Sequence, residues 1–224
     1  MELSYRILYA AVILASASCS RNLTPSSEIT GQEFDINSNI TSVIAHDQMN
    51  VVFDSQLPKG KIVVYANSDL HKYVYFRNHG ESVELWYDDG KKSYDGMTVE
   101  AHIPSEQFSD IAVYDLVTIT GKPETKDFSV DLDDSSEMFC DNVDFNILTV
   151  KLDGLAEMVV SGRCNILDIT SSGMSEFICP DLYCEHVRGH LDDMSDVTVT
   201  SPGGFDGIID DSTLIILKPD EGKE

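Results

Sequence analysis

The stretch LDGLAEMVV (Leu152–Val160) returns nineteen residues later as SSGMSEFIC (Ser171–Cys179). Each passes through a small or polar turn, a small residue and a glutamate into an apolar run. On a period of about twenty residues, the surrounding chain falls into further copies. SVDLDDSSEMFC starts at Ser129, TVKLDGLAEMVV at Thr149, DITSSGMSEFIC at Asp168 and RGHLDDMSDVTV at Arg188. A shorter copy, GIIDDSTLII, starts at Gly207, and IAVYDLVTIT from Ile111 is a degenerate copy ahead of them.

Aligned this way, the copies form columns. One reads Met138, Met158, Phe177, Val197, Leu214; a second, two residues on, reads Cys140, Val160, Cys179, Val199, Ile216. A third, across the turn, reads Val130, Val150, Ile169, Gly189, Ile208, flanked by Phe128, Leu148, Leu167 and Val187. Within a copy, apolar positions alternate with polar ones, the signature of a half-buried strand. The runs are short and rich in β-branched residues, and turn residues interrupt them too often for a helix. The fold class expected is therefore all-β: a β-solenoid, parallel β-helix-like, whose coils are short strands joined at polar corners. A single coil buries too few side chains to offset the entropy of ordering its backbone, so coils must stack, and matching columns stack best. A β-sandwich is the competing architecture; columns kept over four consecutive copies favour the solenoid.

Glu33 to Pro104 reads differently. VIAHDQMNVVFDS, KIVVYANSD, KYVYFRNHG, SVELWYDDG and MTVEAHIPS are strand-like runs separated by Asp, Asn, Gly and Pro turns. In Ser82–Tyr87, Val83, Leu85 and Tyr87 share one face, Glu84 and Trp86 the other. This region is expected to precede the coils as a β-strand cap, covering an edge that would otherwise invite aggregation. At the far end the short last copy and the tail KPDEGKE (Lys218–Glu224) are expected to guard the other edge.

The chain opens with one basic side chain, Arg6, and an apolar run from Ile7 to Ala17. That run fits a secretory signal and is too short to span a bilayer, which takes roughly twenty residues. LASASCS follows, its small residues leading into Cys19, and resembles the lipobox of a bacterial lipoprotein. That resemblance implies cleavage before Cys19 and lipidation of its thiol and new amine; an ordinary cleavable signal is the plainer reading. Acyl chains anchor a soluble body firmly, and Arg21–Ser27 reads as a polar tether. Serine after Cys19 favours the outer membrane, with the body facing the periplasm or the cell surface. The organisation expected is a signal at 1–18, a lipidated tether at 19–28, and one β domain at 29–218. Within that domain, 29–104 is the N-terminal region and 105–218 the coils, with a polar tail at 219–224.

The formal net charge is −24 over 224 residues. Such a body repels phosphate backbones and anionic headgroups, which argues against nucleic acid as a partner and for a lipid tail over electrostatic docking. The apolar fraction of 42% is that of a folded domain. Beyond Cys19 the cysteines are Cys140, Cys164, Cys179 and Cys184, with no CxxC pair to suggest a zinc ribbon. Cys140 and Cys179 share a column two coils apart, out of disulfide reach. Cys164 and Cys184 share another with Phe145 on adjacent coils, where either a disulfide or small apolar filling fits.

Together, the lipobox, the strands ending in MTVEAHIPS and the stacked S/D-G-x-S/A-E/D phrase resemble the auto-transporter adhesin head GIN domain family of Bacteroidetes envelope proteins, a domain of unknown function. The resemblance covers roughly Ile29 to Lys218. Glycine-serine-glycine corners are usual in that family; here they are DDS, DGL, SGM and DDM, richer in aspartate. The resemblance implies a β-solenoid on an envelope-anchored protein and brings no catalytic residues with it.

The strongest local chemistry is acidic. One column reads Asp133, Asp153, Ser172, Asp192, Asp211 and another Glu137, Glu157, Glu176, Asp196; nineteen carboxylates between Asp127 and Asp211 face only Lys151, Arg163 and Arg188. Carboxylates stacked about 5 Å apart repel by roughly 1 kcal/mol per pair in water and about 3 at an effective dielectric of 20, so the columns must stay wet, splay, or hold cations. Asp133, Asp134, Asp153, Asp192 and Asp193 are the candidate Ca²⁺ ligands, although neither an EF-hand loop nor a calcium-binding nonapeptide is present. A solvated anionic face is the plainer reading.

His186 and His190 flank Arg188 with metal-motif spacing that has force only on a helix. Trp86, Tyr87, Tyr73 and Tyr75 are either a sugar-binding patch or sheet packing. The function expected is a non-catalytic, envelope-anchored binding or structural surface for a protein or glycan. The alternative is a carbohydrate-active β-helix enzyme, a polysaccharide lyase or glycoside hydrolase, with Ca²⁺ as its candidate cofactor.

Overall fold

The computed structural model describes residues 23–90 and 94–219; the signal, Cys19 and the tail beyond residue 219 lie outside the described residues. Within them, sixteen strands join in one continuous sheet that winds into a solenoid with two main walls and a short third segment, Val143–Phe145 stacked on Gly162–Cys164 and Leu182–Cys184. In chain order they are β1 (Ile29–Asp35), β2 (Ser42–His46), β3 (Asn50–Asp54), β4 (Lys61–Asn67), β5 (Val74–His79), β6 (Ser82–Tyr87), β7 (Val99–Pro104) and β8 (Asp110–Val113). There follow β9 (Thr118–Gly121), β10 (Asp127–Leu132), β11 (Glu137–Leu152), β12 (Glu157–Ser171), β13 (Glu176–Leu191), β14 (Asp196–Thr200), β15 (Phe205–Ile209) and β16 (Leu214–Lys218).

The three long strands explain how a winding is made. Glu137–Phe139 of β11 pairs β9 on one wall, and Ile147–Leu152 pairs β10 on the other; between them the register shifts at Cys140/Val143. β12 and β13 bend in the same way, with shifts of their own. One wall therefore runs β6, β2, β8, β10, then the C-terminal halves of β11, β12 and β13, then β15. The other runs β7, β3, β9, the N-terminal halves of β11, β12 and β13, then β14 and β16. Every pairing in these two stacks is parallel.

The spatial order departs from the chain order once. The winding made of β2 and β3 lies inside the one made of β6 and β7, and β8 and β9 follow on its other face. The chain leaves after β3 to build the cap. β4 pairs antiparallel with β7, β1 with β4, and β5 with β6, so antiparallel strands cover both wall edges at this end. The parallel stack thus continues from the coils into the strand-rich N-terminal half. Leu23–Glu28 also lies against the body: Asp95 N donates to Leu23 O at 3.0 Å, Asn67 Nδ2 to Ser26 O at 2.7 Å, and Ser68 N to Glu28 O at 2.8 Å.

The core is a filament of stacked side chains along the solenoid axis. Met138, Met158, Phe177 and Val197 stand in register, as do Val130, Val150, Ile169 and Gly189, and the large members are fully buried. Phe128 stacks on Phe145 at 5.4 Å and 9°. One polar side chain interrupts a leucine column: Ser171 stands between Leu152 and Leu191, buried, its hydroxyl without a hydrogen-bond partner.

The last winding corrects the sequence alignment by one residue. Gly207, not Ile208, stands on Gly189; Ile215, not Leu214, on Val197; Leu217, not Ile216, on Val199. The step from residue 189 to 207 is eighteen residues, where 130 to 150 is twenty and 150 to 169 nineteen. The glycines fix this register. A Cβ on Gly207 would lie 2.0 Å from Gly189 O, and one on Gly189 only 1.7 Å from Ile169 O, so no larger residue fits that column here. A one-residue slip turns every side chain to the opposite face, and Ile208, Leu214 and Ile216 accordingly point outward, 43–62% exposed.

The four described cysteines are free and buried. Cys164 and Cys184 stand opposite each other on adjacent windings. The Cys140 thiol donates to Gly121 O at 2.8 Å, and burial pushes its pKa up to about 12; burial raises that of Cys179 as well.

Two outcomes follow from this core. Leu217→Ala should cost about 1–3 kcal/mol in urea unfolding, and Ile216→Ala stay within about 0.5 kcal/mol; the reverse order would restore the alignment read from sequence. Because a raised thiol pKa leaves little thiolate at any pH below it, Cys140 and Cys179 should resist iodoacetamide at pH 8 in the native protein. Both should label in urea, as read by peptide mass mapping.

Candidate binding surface at the stacked corner

The four-residue corners leading from the β10 wall to the β16 wall are Asp133–Ser136, Asp153–Ala156, Ser172–Ser175 and Asp192–Ser195. Each position has its own task. At two corners the first residue accepts a hydrogen bond from the next backbone N–H: Asp133 Oδ1 from Asp134 N at 2.7 Å, Asp153 Oδ1 from Gly154 N at 2.8 Å. The second residue takes a left-handed conformation, with φ of 59° at Asp134, 72° at Gly154, 73° at Gly173 and 57° at Asp193. Aspartate and glycine are the residue types that enter this region at low cost. The fourth is small and buried: Ser136, Ala156, Ser175, Ser195. Ser136 and Ser195 turn their hydroxyls back to the carbonyls of Asp133 and Asp192, each at 2.8 Å.

The third position points to solvent. Leu155, Met174 and Met194 occupy it on three consecutive windings and are 55%, 53% and 61% exposed; Leu116 holds the equivalent place at the earlier corner. Backbone bonds fix their spacing: Leu155 N to Asp134 O at 2.6 Å, Met174 N to Gly154 O at 2.8 Å, Met194 N to Gly173 O at 3.0 Å. At about 4.8 Å per winding these side chains form a continuous apolar ridge. Beside them runs a groove of about 430 Å³ lined by Gly154, Leu155, Gly173, Met174, Asp193, Met194 and Ser212.

Two acidic rows border the ridge. On one side Asp133, Asp153, Ser172, Asp192 and Asp210 follow the in-register ends of the first wall. Asp210 takes the place assigned to Asp211, by the same one-residue slip. On the other side Glu137, Glu157, Glu176 and Asp196 pair directly. Ser172 Oγ donates to Asp153 Oδ1 at 2.9 Å, which breaks the first row. An exposed methionine-rich strip between carboxylate rows suits a partner with apolar side chains and flanking lysines or arginines.

Of the five aspartates expected to hold Ca²⁺, Asp133 and Asp153 use one oxygen within their own turns, Asp193 Oδ2 accepts from Gly173 N at 3.2 Å, and Asp192 Oδ1 faces His190 Nε2 at 3.1 Å. Asp134 is exposed at the second corner position. Among the described residues, three potential metal-ligating side chains converge at His46, Asp47 and Asp115. His186 and His190 lie four residues apart on β13, which in a strand is about 13 Å.

The aromatic group divides by face. Tyr87 is buried against Tyr73, with ring centroids 6.1 Å apart, while Trp86 stacks outside between Tyr75 at 5.2 Å and His46 at 5.7 Å. The exposed ridge was missed by sequence reasoning, which followed the buried columns; its signal was present in the third letter of the DGL, SGM and DDM corners.

The family described as "Putative auto-transporter adhesin, head GIN domain" matches residues 39–216. No curated protein matches the chain. Among solved structures, a putative adhesin from Bacteroides fragilis is 11% identical, with 88% of this chain and 100% of that one covered and a TM-score of 0.62. A putative lipid binding protein from Parabacteroides distasonis is 10% identical, with 87% and 98% covered and a TM-score of 0.53. Likeness at such identity shows the shared fold.

The corner makes a paired prediction for stability. Gly173→Ala places a Cβ 2.7 Å from Gly154 O at a φ of 73°, and should cost about 1–3 kcal/mol. Met174→Ser, one residue on, should stay within about 0.5 kcal/mol in the same urea titration.

Proposed function

This chain belongs to the auto-transporter adhesin head GIN domain family, and from that premise we propose that it is a non-catalytic envelope protein that holds a protein partner along its corner ridge. The observation that carries the reading is the row Leu155, Met174, Met194, exposed at matching positions of three consecutive corners, with Ser135 separating it from Leu116. A soluble body with no partner gains nothing from placing its most exposed methionines in line, whereas large apolar strips with polar borders are a usual mark of interaction sites. The rim of carboxylates supplies attraction for cationic side chains and discourages docking of a second acidic copy.

A protein fits better than a glycan. Sugars stack on free aromatic faces, but the Tyr75, Trp86 and His46 rings lie nearly parallel, at 12° and 5°, and turn their faces to one another. The acidic rows run along the solenoid on either side of a ridge, an arrangement unlike the two carboxylates that flank a bond in glycoside cleavage.

Anchoring through Cys19 completes the proposal. Leu23–Glu28 is held against the body, so the stretch from Cys19 to Leu23, reaching roughly 14 Å at full extension, would keep the capped end of the solenoid near the bilayer. Attachment in the outer membrane, facing the periplasm or the exterior, follows from the residues around that cysteine.

Beads coated with the protein should adhere to immobilised basic extracellular proteins. A Leu155→Ser, Met174→Ser, Met194→Ser triple variant should lose about tenfold or more of that affinity with its circular dichroism unchanged. Equal binding by the triple variant would overturn the ridge, and turnover of a polysaccharide panel would overturn the non-catalytic reading. In cells fed radiolabelled palmitate, the full-length chain should carry label and Cys19→Ser should not.

A further inference from the structure

His46 ends β2 on the outer face of the first wall, and its ring is held on two sides. One face lies flat against Trp86, with centroids 5.7 Å apart and planes 5° from parallel. Its Nε2 sits 3.3 Å from Glu84 Oε1, while the other Glu84 oxygen is approached by Arg77 Nη1 at 3.5 Å and His79 Nε2 at 3.3 Å. Glu84 accepts from these neighbours, so Nε2 of His46 can donate to it, the arrangement that frees Nδ1 to act as a metal ligand.

Nδ1 lies 2.7 Å from Asp47 Oδ2. Two such groups at that distance hold either a proton or a cation between them. Asp115 adds a third. It stands at the corner of the next winding, and ligand atoms of His46, Asp47 and Asp115 all fall within 4.8 Å of one another. Asp47 and Asp115 both hold left-handed backbone, with φ of 62° and 68°. The cluster opens onto a groove of about 340 Å³ lined by Asp47, Gln48, Asp115, Leu116, Asp134 and Ser135, with room for water on the exposed side.

We propose that His46, Asp47 and Asp115 bind a first-row divalent transition ion, with Zn²⁺ as the type. One imidazole nitrogen and two carboxylates suit such an ion better than Ca²⁺ or Mg²⁺, which favour all-oxygen shells. Glu84 takes the place of the outer carboxylate that orients a metal-bound histidine. Three protein ligands leave coordination positions for water or for a donor on a partner. A proton shared in the same space is the rival occupant, and a titration distinguishes them.

Trp86, the only tryptophan of the chain, reports directly on the site because its ring lies on His46. Untagged protein titrated with Ni²⁺ should show saturable, one-to-one quenching of Trp86 fluorescence at micromolar metal. Zn²⁺ should reverse the quenching by competition, and equal concentrations of Mg²⁺ or Ca²⁺ should not. Asp115→Asn, which keeps a residue tolerant of positive φ, and His46→Gln should each weaken apparent affinity by about tenfold or more. Asp206→Asn, on the last winding, should leave it unchanged. Quenching that survives Asp115→Asn, that appears only at millimolar metal, or that falls equally in Asp206→Asn would overturn the site; the second outcome would leave a protonated imidazole as the occupant.

Discussion

Each winding depends on its neighbours for the hydrogen bonds of its own backbone. A strand such as β12 has no partner within its own turn of the solenoid; it is bonded to β11 below and β13 above. Burying peptide groups without partners is costly, so windings must meet in register. Register then places like side chains above like. The methionine and phenylalanine column, the leucine column and the carboxylate rows are all products of that one requirement. The same requirement makes the ends special, because an end winding offers a row of unpaired groups. At the N-terminal end the chain answers it with β1, β4 and β5, which run antiparallel and close both walls.

Register also creates the electrostatic problem that the outer surface must manage. A carboxylate repeated every winding meets its own kind, and the chain relieves this by changing one member of a row. Lys151 reaches Asp131 at 2.9 Å, and Arg188 reaches Asp168 at 3.0 Å, each one winding away. Asn146 bridges between Asp127 and Asn165 at 3.0 and 3.2 Å. These exposed pairs contribute little individually; their effect is to keep the walls from becoming uninterrupted anionic sheets. Around the corner the acids are left largely uncompensated, and there they frame the apolar ridge.

The repeat was legible from β10 to β14, where one winding follows the next at steps of nineteen or twenty residues. Glu137, Glu157, Glu176 and Asp196 fall on one line in sequence and in space. Legibility failed in two places for two reasons. At the last winding the alignment followed hydrophobicity, and Ile208, Leu214 and Ile216 drew it one residue off; the deciding contact is a backbone approach at Gly189 and Gly207 that hydropathy does not record. In the N-terminal half the cap is inserted between windings, so β2 and β8 adjoin in space across a long excursion of chain. No period survives that insertion, and for the same reason nothing in the sequence brings His46 and Asp115 together.

The corner has an evolutionary reading. A stretch that begins and ends at the same point of the turn carries its own share of every buried column, one left-handed aspartate or glycine, and one outward side chain. Copying it in frame would lengthen the ridge by one rung while leaving both termini and the closing strands untouched; deleting it would shorten the ridge as cleanly. Reach along a partner's surface is thus a property the gene can adjust by recombination, in whole steps, without redesigning any contact.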